Sequence, residues 1–155
     1  MKVLVFTIGA DRYALALRAI ARVLPVLALK QLPTAPAFVA GLMDLHGAPV
    51  PVIDLSRLAG VEPEQVWFDT RIILVDCPHG AATRPLGLLA EHVIGIETIA
   101  DAGLADSGVA CAPFLGQVAG GAAGMLQLVE LAHLLAPEVR AQLFPAPAPA
   151  AAAAA

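Results

Sequence analysis

The chain has 155 residues, of which 59% are hydrophobic and 14% charged, with a net charge of −4 at neutral pH. Soluble proteins average about 45–50% apolar and about 25% charged residues, so disorder is excluded for most of the chain and membrane segments must be tested for. Aromatic residues at 5% and the negative balance exclude a nucleic-acid surface built from stacking rings and a basic stripe.

Short apolar runs separated by turn residues dominate, which is the pattern of small buried strands. Val3 to Ile8, the turn Gly9 to Arg12 and Tyr13 to Leu17 read as strand, turn and strand. Leu17, Ile20 and Val23 share one side at helical spacing, so Leu17 to Val23 is expected to form one or two helical turns. Leu27 to Leu32 is expected to be extended, and Pro33 and Pro36 punctuate a loop. Leu42 to Leu45 and Val50 to Leu55 form a hairpin across His46 to Pro49, followed by a short helix at Ser56 to Leu58. Pro49 and Pro51 place part of the second strand where the usual sheet hydrogen bonds are missing.

In the second half, Ile72 to Asp76 and Pro85 to Ala90 form a hairpin around a polar turn, Cys77 to Arg84. Glu91 to Val93 reads as a helical turn, Ile94 to Ile99 as a strand and Ala100 to Ala112 as a loop. Phe114 to Ala119 and Met125 to Val129 form the last hairpin, with Gly120 and Gly121 at its turn, and Glu130 to Leu135 is expected to be helical. Ser107 to Val129 is free of charge and has Gly116, Gly120 and Gly124 at GxxxG spacing, yet Pro113, Gln117 and Gln127 argue for strands rather than a membrane helix. Pro137 to Phe144 extends a terminal helix, and Pro145 to Ala155 is an Ala/Pro-rich tail expected to be disordered.

An echo joins the halves: Val52 to Leu58 (VIDLSRL) and Leu128 to Leu134 (LVELAHL) share two apolar residues, an acid, Leu, two variable residues and Leu. The expected fold class is therefore all-β with a few short helices, as two similar subdomains of about five strands each. Their domain spans residues 1–144, with the tail at 145–155.

Catalytic chemistry finds no foothold. His46, His79, His92 and His133 lie more than ten residues apart, without metal-ligand spacing, and no GxSxG, P-loop or GxGxxG occurs. Asp54 and Glu130 each precede a helical turn, where a carboxylate caps backbone amides. Cys77 and Cys111 form no CxxC pair and read as small buried residues. Asp11 and Arg12 interrupt the first apolar run too early for a secretory leader, so a cytoplasmic location is expected. No cofactor, metal or enzymatic activity is expected. Residues 1–57 hold six Lys/Arg and three acids, the remainder three Arg and ten acids, an asymmetry able to steer a protein partner.

The blocks FTIGADRYAL, LKQLPTAPAFVAGLMDLHGAPVPVIDL, TRIILVD, RPLGLLAEHVIGI and FLGQVAGGAAGMLQLVELAHLL, in this order from about Val3 to Leu135, resemble a CheW-type coupling protein. The resemblance implies two five-stranded SH3-like barrels packed around a shared core. It also implies an adaptor bridging the cytoplasmic tip of a chemoreceptor and the regulatory domain of a CheA-type histidine kinase. The family's receptor-helix groove, carried over by position, would be lined by Ile20, Arg22, Gly41, His46, Arg71, Val93 and Ile96, while the kinase contact is not assigned to single residues.

Two departures stand out. Asp44-Leu45-His46-Gly47 replaces the family's Asn-Leu-Arg-Gly, exchanging a permanent cation for an imidazole, and Arg22 stands where an acid is common. The stretch VLPVLALKQLPTAPAFVAG resembles adaptors of Wsp-like pathways, which control cyclic di-GMP. The alternative, from another class, is a small-ligand-binding or sensory input module of the same fold. It requires a closed pocket with convergent polar groups.

Overall fold

The computed structural model describes residues 1–63, 65–106, 114–120 and 124–144. Cys111, Gly121 and the tail from Pro145 lie outside the described residues. The chain forms β1 (Lys2–Ile8), β2 (Asp11–Ala16), β3 (Ile20–Leu24), β4 (Val39–Leu45), β5 (Ala48–Asp54), α1 (Leu55–Leu58), β6 (Arg71–His79) and β7 (Ala82–Ala90). There follow β8 (His92–Thr98), β9 (Leu104–Asp106), β10 (Leu115–Ala119), β11 (Leu126–Val129) and α2 (Pro137–Leu143).

Two sheets result, with strand orders β8-β1-β2-β11-β10-β9 and β3-β6-β7-β5-β4. The chain starts in the first sheet, builds the whole second sheet, and returns to complete the first. The all-β, two-subdomain architecture expected from the sequence is present, with six strands among the described residues of the first subdomain where about five were expected.

The heptapeptide echo is structural. Val52 pairs with Gly87 in a parallel ladder of β5 and β7, and Leu128 pairs with Ala14 in a parallel ladder of β11 and β2. The Asp54 amide donates to the Phe38 carbonyl and the Glu130 amide to the Phe114 carbonyl, each at 2.7 Å. Thus β8, β1, β2, β11 and β10 correspond to β3, β6, β7, β5 and β4. β9, which falls in the expected loop, has its counterpart in the isolated bridge of Lys30 to Leu42.

Strand alternation divides the core into three. Val3, Val5, Ala14, Ala119, Leu126 and Leu128 fill the first subdomain, and Met43, Val50, Val52, Ile72 and Leu74 fill the second. The intervening residues of the same strands, Leu4, Phe6 and Ile8 on β1 and Ile73, Val75 and Cys77 on β6, turn to a shared core with Leu86, Leu88 and Leu131.

Several local expectations are corrected. Only Leu17–Ala19 is helical, as a 3-10 turn, and Ile20–Leu24 is a strand, because pairing with β6 captures it. Leu27 to Leu32 contributes only the bridge at Lys30. Cys77 lies inside β6 and is fully buried, since the β6–β7 ladder runs on to His79 and Ala82 before turning at Gly80. The expected helical turn at Glu91 to Val93 is absent: Glu91 is a bend, and His92 and Val93 begin β8, paired with Thr7 and Phe6.

Asp54 caps α1, its Oδ1 accepting from the amides of Ser56 (3.0 Å) and Arg57 (3.3 Å). Glu130 does not cap the 3-10 turn Leu131–His133 that follows it. Its longer side chain lies instead over Gly116, where an added Cβ would come within 2.6 Å of Glu130 Cγ. The β5–β7 ladder begins only at Val52, so Pro49 and Pro51 sit before it and withhold no amide from β7.

Candidate interaction groove

β3 and β8 are corresponding edge strands, and each carries a bulge. Ile20 pairs with Val75, Arg22 with Leu74 and Val23 with Ile73, which leaves Ala21 as the extra residue. Val93 pairs with Phe6, Gly95 with Val5 and Ile96 with Leu4, which leaves Ile94 as the extra residue. A bulge shifts the alternation by one position, so residues three apart come to face the same way. Ile20 and Val23 therefore lie over the shared-core face of β6, and Val93 and Ile96 over that of β1. Ile20 and Val93 are half-buried against the shared core, whereas Val23 is 44% and Ile96 60% exposed.

The two edges are tied together at both ends. At one end Ala16 pairs with Val3 and the chain turns directly into β3, while β8 finishes beside the same end of β1, with Thr98 opposite Lys2. At the other end Leu24 pairs with Ile72 near the start of β6, and the Val93 amide donates to the Asp69 carbonyl at 3.0 Å. The seam between the subdomains thus opens along a strip bounded by two bulged strands, whose exposed apolar residues continue the core to the surface.

The corner at residues 65–71 is tightly held. Arg71 Nη1 donates to the carbonyls of Phe68 and Thr70, both at 2.8 Å. Buried Thr70 donates from Oγ1 to the Glu91 carbonyl (2.7 Å) and accepts from the Trp67 amide (2.8 Å). Trp67 Nε1 donates to Glu91 Oε1 at 2.8 Å, and His92 Nδ1 lies 2.7 Å from Asp69 Oδ1. That hydrogen bond, more than any other influence, lowers the Asp69 pKa below 3.8. Phe68 projects from this rigid corner with 96% of its surface exposed.

The seven sequence-derived positions are distributed as follows. Ile20, Val93 and Ile96 border the seam, and Arg71 anchors the corner at its end. Arg22 is on β3, but on the opposite face from Ile20, because the bulge separates them. Gly41 and His46 belong to the β4–β5 hairpin. Gly41 is buried at φ +147°, where a Cβ would meet the Lys30 carbonyl oxygen at 2.5 Å. His46 (φ 52°) and Gly47 (φ 88°) form the two-residue hairpin turn, with the Gly47 amide donating to Asp44 Oδ1 at 2.7 Å. Sequence reasoning missed Val23, Ile94 and Phe68. The spacing Ile20-x-x-Val23, matched by Val93-x-x-Ile96, carried the signal for Val23.

Among the described residues, no group of three or more His, Cys, Asp or Glu is placed to hold a metal, and no helix is long and apolar enough to cross a membrane.

Residues 2–138 match the family model described as CheW-like domain. The chain belongs to the CheW-like domain family. It is 26% identical over 100 residues to the chemotaxis protein CheW of Rhizobium meliloti and 25% identical over 100 residues to a probable chemotaxis protein CheW of Rhizobium etli. Each match covers 64% of this chain and 62% of the relative's length. The scaffolding protein TtCheW from Thermoanaerobacter tengcongensis superposes with a TM-score of 0.79 at 23% identity, over 89% of this chain and 94% of that one. The last comparison shows that the chain has the CheW fold.

Proposed function

We propose that this CheW-like chain is a non-enzymatic adaptor linking a chemoreceptor's cytoplasmic tip to the regulatory domain of a CheA-type histidine kinase. It acts in the cytoplasm and is recruited to receptor arrays by those partners. The observation that carries the reading is the pair of bulged edge strands, which turn Ile20, Val23, Val93 and Ile96 toward one apolar seam. An amphipathic receptor helix lying in that seam buries its apolar face against these residues, with Arg71 at the end of the groove, while Arg22 lies on the opposite face of β3 and Gly41 and His46 in the β4–β5 hairpin. Arg22 and His46 give the second subdomain a charge pattern unlike the usual family members, which supports a specialised output such as a Wsp-like cyclic di-GMP pathway.

The test is binding of the purified full chain to a receptor helical-hairpin fragment and, separately, to a kinase regulatory domain. Ile96→Asp or Val23→Asp is expected to weaken receptor binding at least ~10-fold, since a charge is buried without a partner, while kinase binding and melting temperature stay near wild type. Arg22→Glu should alter receptor binding more than kinase binding. Retention of neither partner by the wild-type chain overturns the adaptor reading. Equal loss of both partners in the seam variants overturns the groove.

A further inference from the structure

A cavity of about 260 Å³ opens where the junction of β5 and α1 meets the corner at residues 65–71 and the end of β7. Its volume lies just under the range of about 300–1,000 Å³ typical of drug-sized ligands, so it suits a molecule of only a few heavy atoms. Pro63, Val66 and Leu89 supply apolar walls. The rest of the lining is polar, and three of its members, Asp54, Ser56 and Thr70, are more than nine-tenths buried.

Three of these polar groups have accepting capacity left over. Asp54 Oδ1 accepts both cap amides, which leaves Oδ2 without a hydrogen bond among the described residues. The Asp54 side chain keeps 10% of its surface exposed, so a small molecule in the cavity can reach it. The Ser56 hydroxyl, in a residue only 1% exposed, has no partner among the described residues. Glu91 Oε1 accepts from Trp67 Nε1 at 2.8 Å, and its second oxygen remains open. Arg57 does not complete the set: its Nε stands 3.8 Å from Asp54 Oδ2, a long ion pair, and its Nη2 turns to Glu62 at 3.2 Å. Burial raises the Asp54 pKa against the opposing cap amides and Arg57 charge, and the Glu91 charge adds a smaller push, as expected of a carboxylate short of a counter-charge. A primary ammonium offers what this wall lacks, a compact positive charge with three N–H donors.

We infer that this cavity binds a small primary aliphatic amine, its ammonium held by Asp54 Oδ2, the Ser56 hydroxyl and Glu91, and its stem against Pro63, Val66 and Leu89. None of these residues borders the seam, and the inference does not depend on the adaptor reading.

The experiment titrates the full chain by calorimetry, in an amine-free buffer at neutral pH, with three probes. These are n-butylammonium, neutral n-butanol, and butyltrimethylammonium, which keeps the charge but lacks the N–H donors. One-to-one saturable binding of butylammonium at millimolar concentration is expected, with both analogues weaker by ~10-fold or more, as loss of charge-assisted hydrogen bonds implies. Asp54→Asn, which keeps the cap acceptor, should weaken butylammonium by a similar factor, and Ser56→Ala by ~3-fold. Absence of saturable butylammonium binding overturns the proposal. Equal binding of butanol, which means an apolar site only, or of the trimethyl compound, which means a diffuse attraction to acidic surface, overturns it as well. So does full affinity in Asp54→Asn, because the ammonium then binds elsewhere. Because the three-probe comparison uses the wild-type chain, it decides the matter even where a variant fails to fold.

Discussion

Asp54 is only 7% exposed and sits at the end of a strand whose neighbours are all apolar. Burial raises its pKa above the usual 3.8, while the amides of Ser56 and Arg57 and the Arg57 charge oppose that shift. An acid with a raised folded-state pKa contributes stability that is complete below its unfolded value and is lost as pH rises through the folded one. Asp54→Asn keeps an N-cap acceptor and removes the buried charge. The variant is therefore expected to be at least as stable as wild type at pH 7, with the difference narrowing as pH falls through the carboxylate range. Asp54→Ala, which loses the cap, should be destabilised by about 1–2 kcal/mol. Urea denaturation across pH checks both, and an Asn variant that gains stability toward low pH as the wild type does would contradict the assignment.

Gly41 shows how an element constrains a residue already singled out for another reason. In β4 the register shifts between Val39 and Gly41, and the glycine backs onto the Lys30 carbonyl of the bridging segment. Alanine there meets both a disfavoured φ and a 2.5 Å contact with backbone oxygen. Gly41→Ala is expected to destabilise the protein by about 2 kcal/mol or more, seen as a lowered melting temperature. A role in contacting the receptor would instead show as weakened receptor binding at unchanged melting temperature. The edge strands explain what sequence could and could not tell at this scale. The strands in hairpins were legible because short apolar runs such as Val3 to Phe6 and Ile72 to Val75 are bounded by turn residues. Leu17, Ile20 and Val23 suggested a helix because a bulge at Ala21 imposes a three-residue spacing on a strand, and a period-based reading cannot separate the two. The same device at Ile94 disguised the start of β8. Family resemblance alone pointed to Ile20, Val93 and Ile96 together, since the strands that carry them are some seventy residues apart and are joined by register rather than by any local motif.

At the scale of the molecule, the interleaved path makes each subdomain depend on the other. The second sheet is continuous in sequence from Ile20 to Ala90, which makes it look separable. Yet Ile53, Leu55, Ile73, Val75, Leu86 and Leu88, all at most 2% exposed, face the shared core rather than the subdomain's own interior. Cut free, that face would return six large aliphatic side chains to water, at roughly 1.5–3 kcal/mol each, which together rivals the whole stability of a small domain. A fragment of residues 20–90 is therefore expected not to fold cooperatively on its own. The intact chain should unfold in one transition, with Trp67 fluorescence, which reports the second subdomain's edge, coinciding with far-ultraviolet circular dichroism in urea. Two separated transitions, or a fragment with a sigmoidal unfolding curve, would show that the shared core is not what couples the halves.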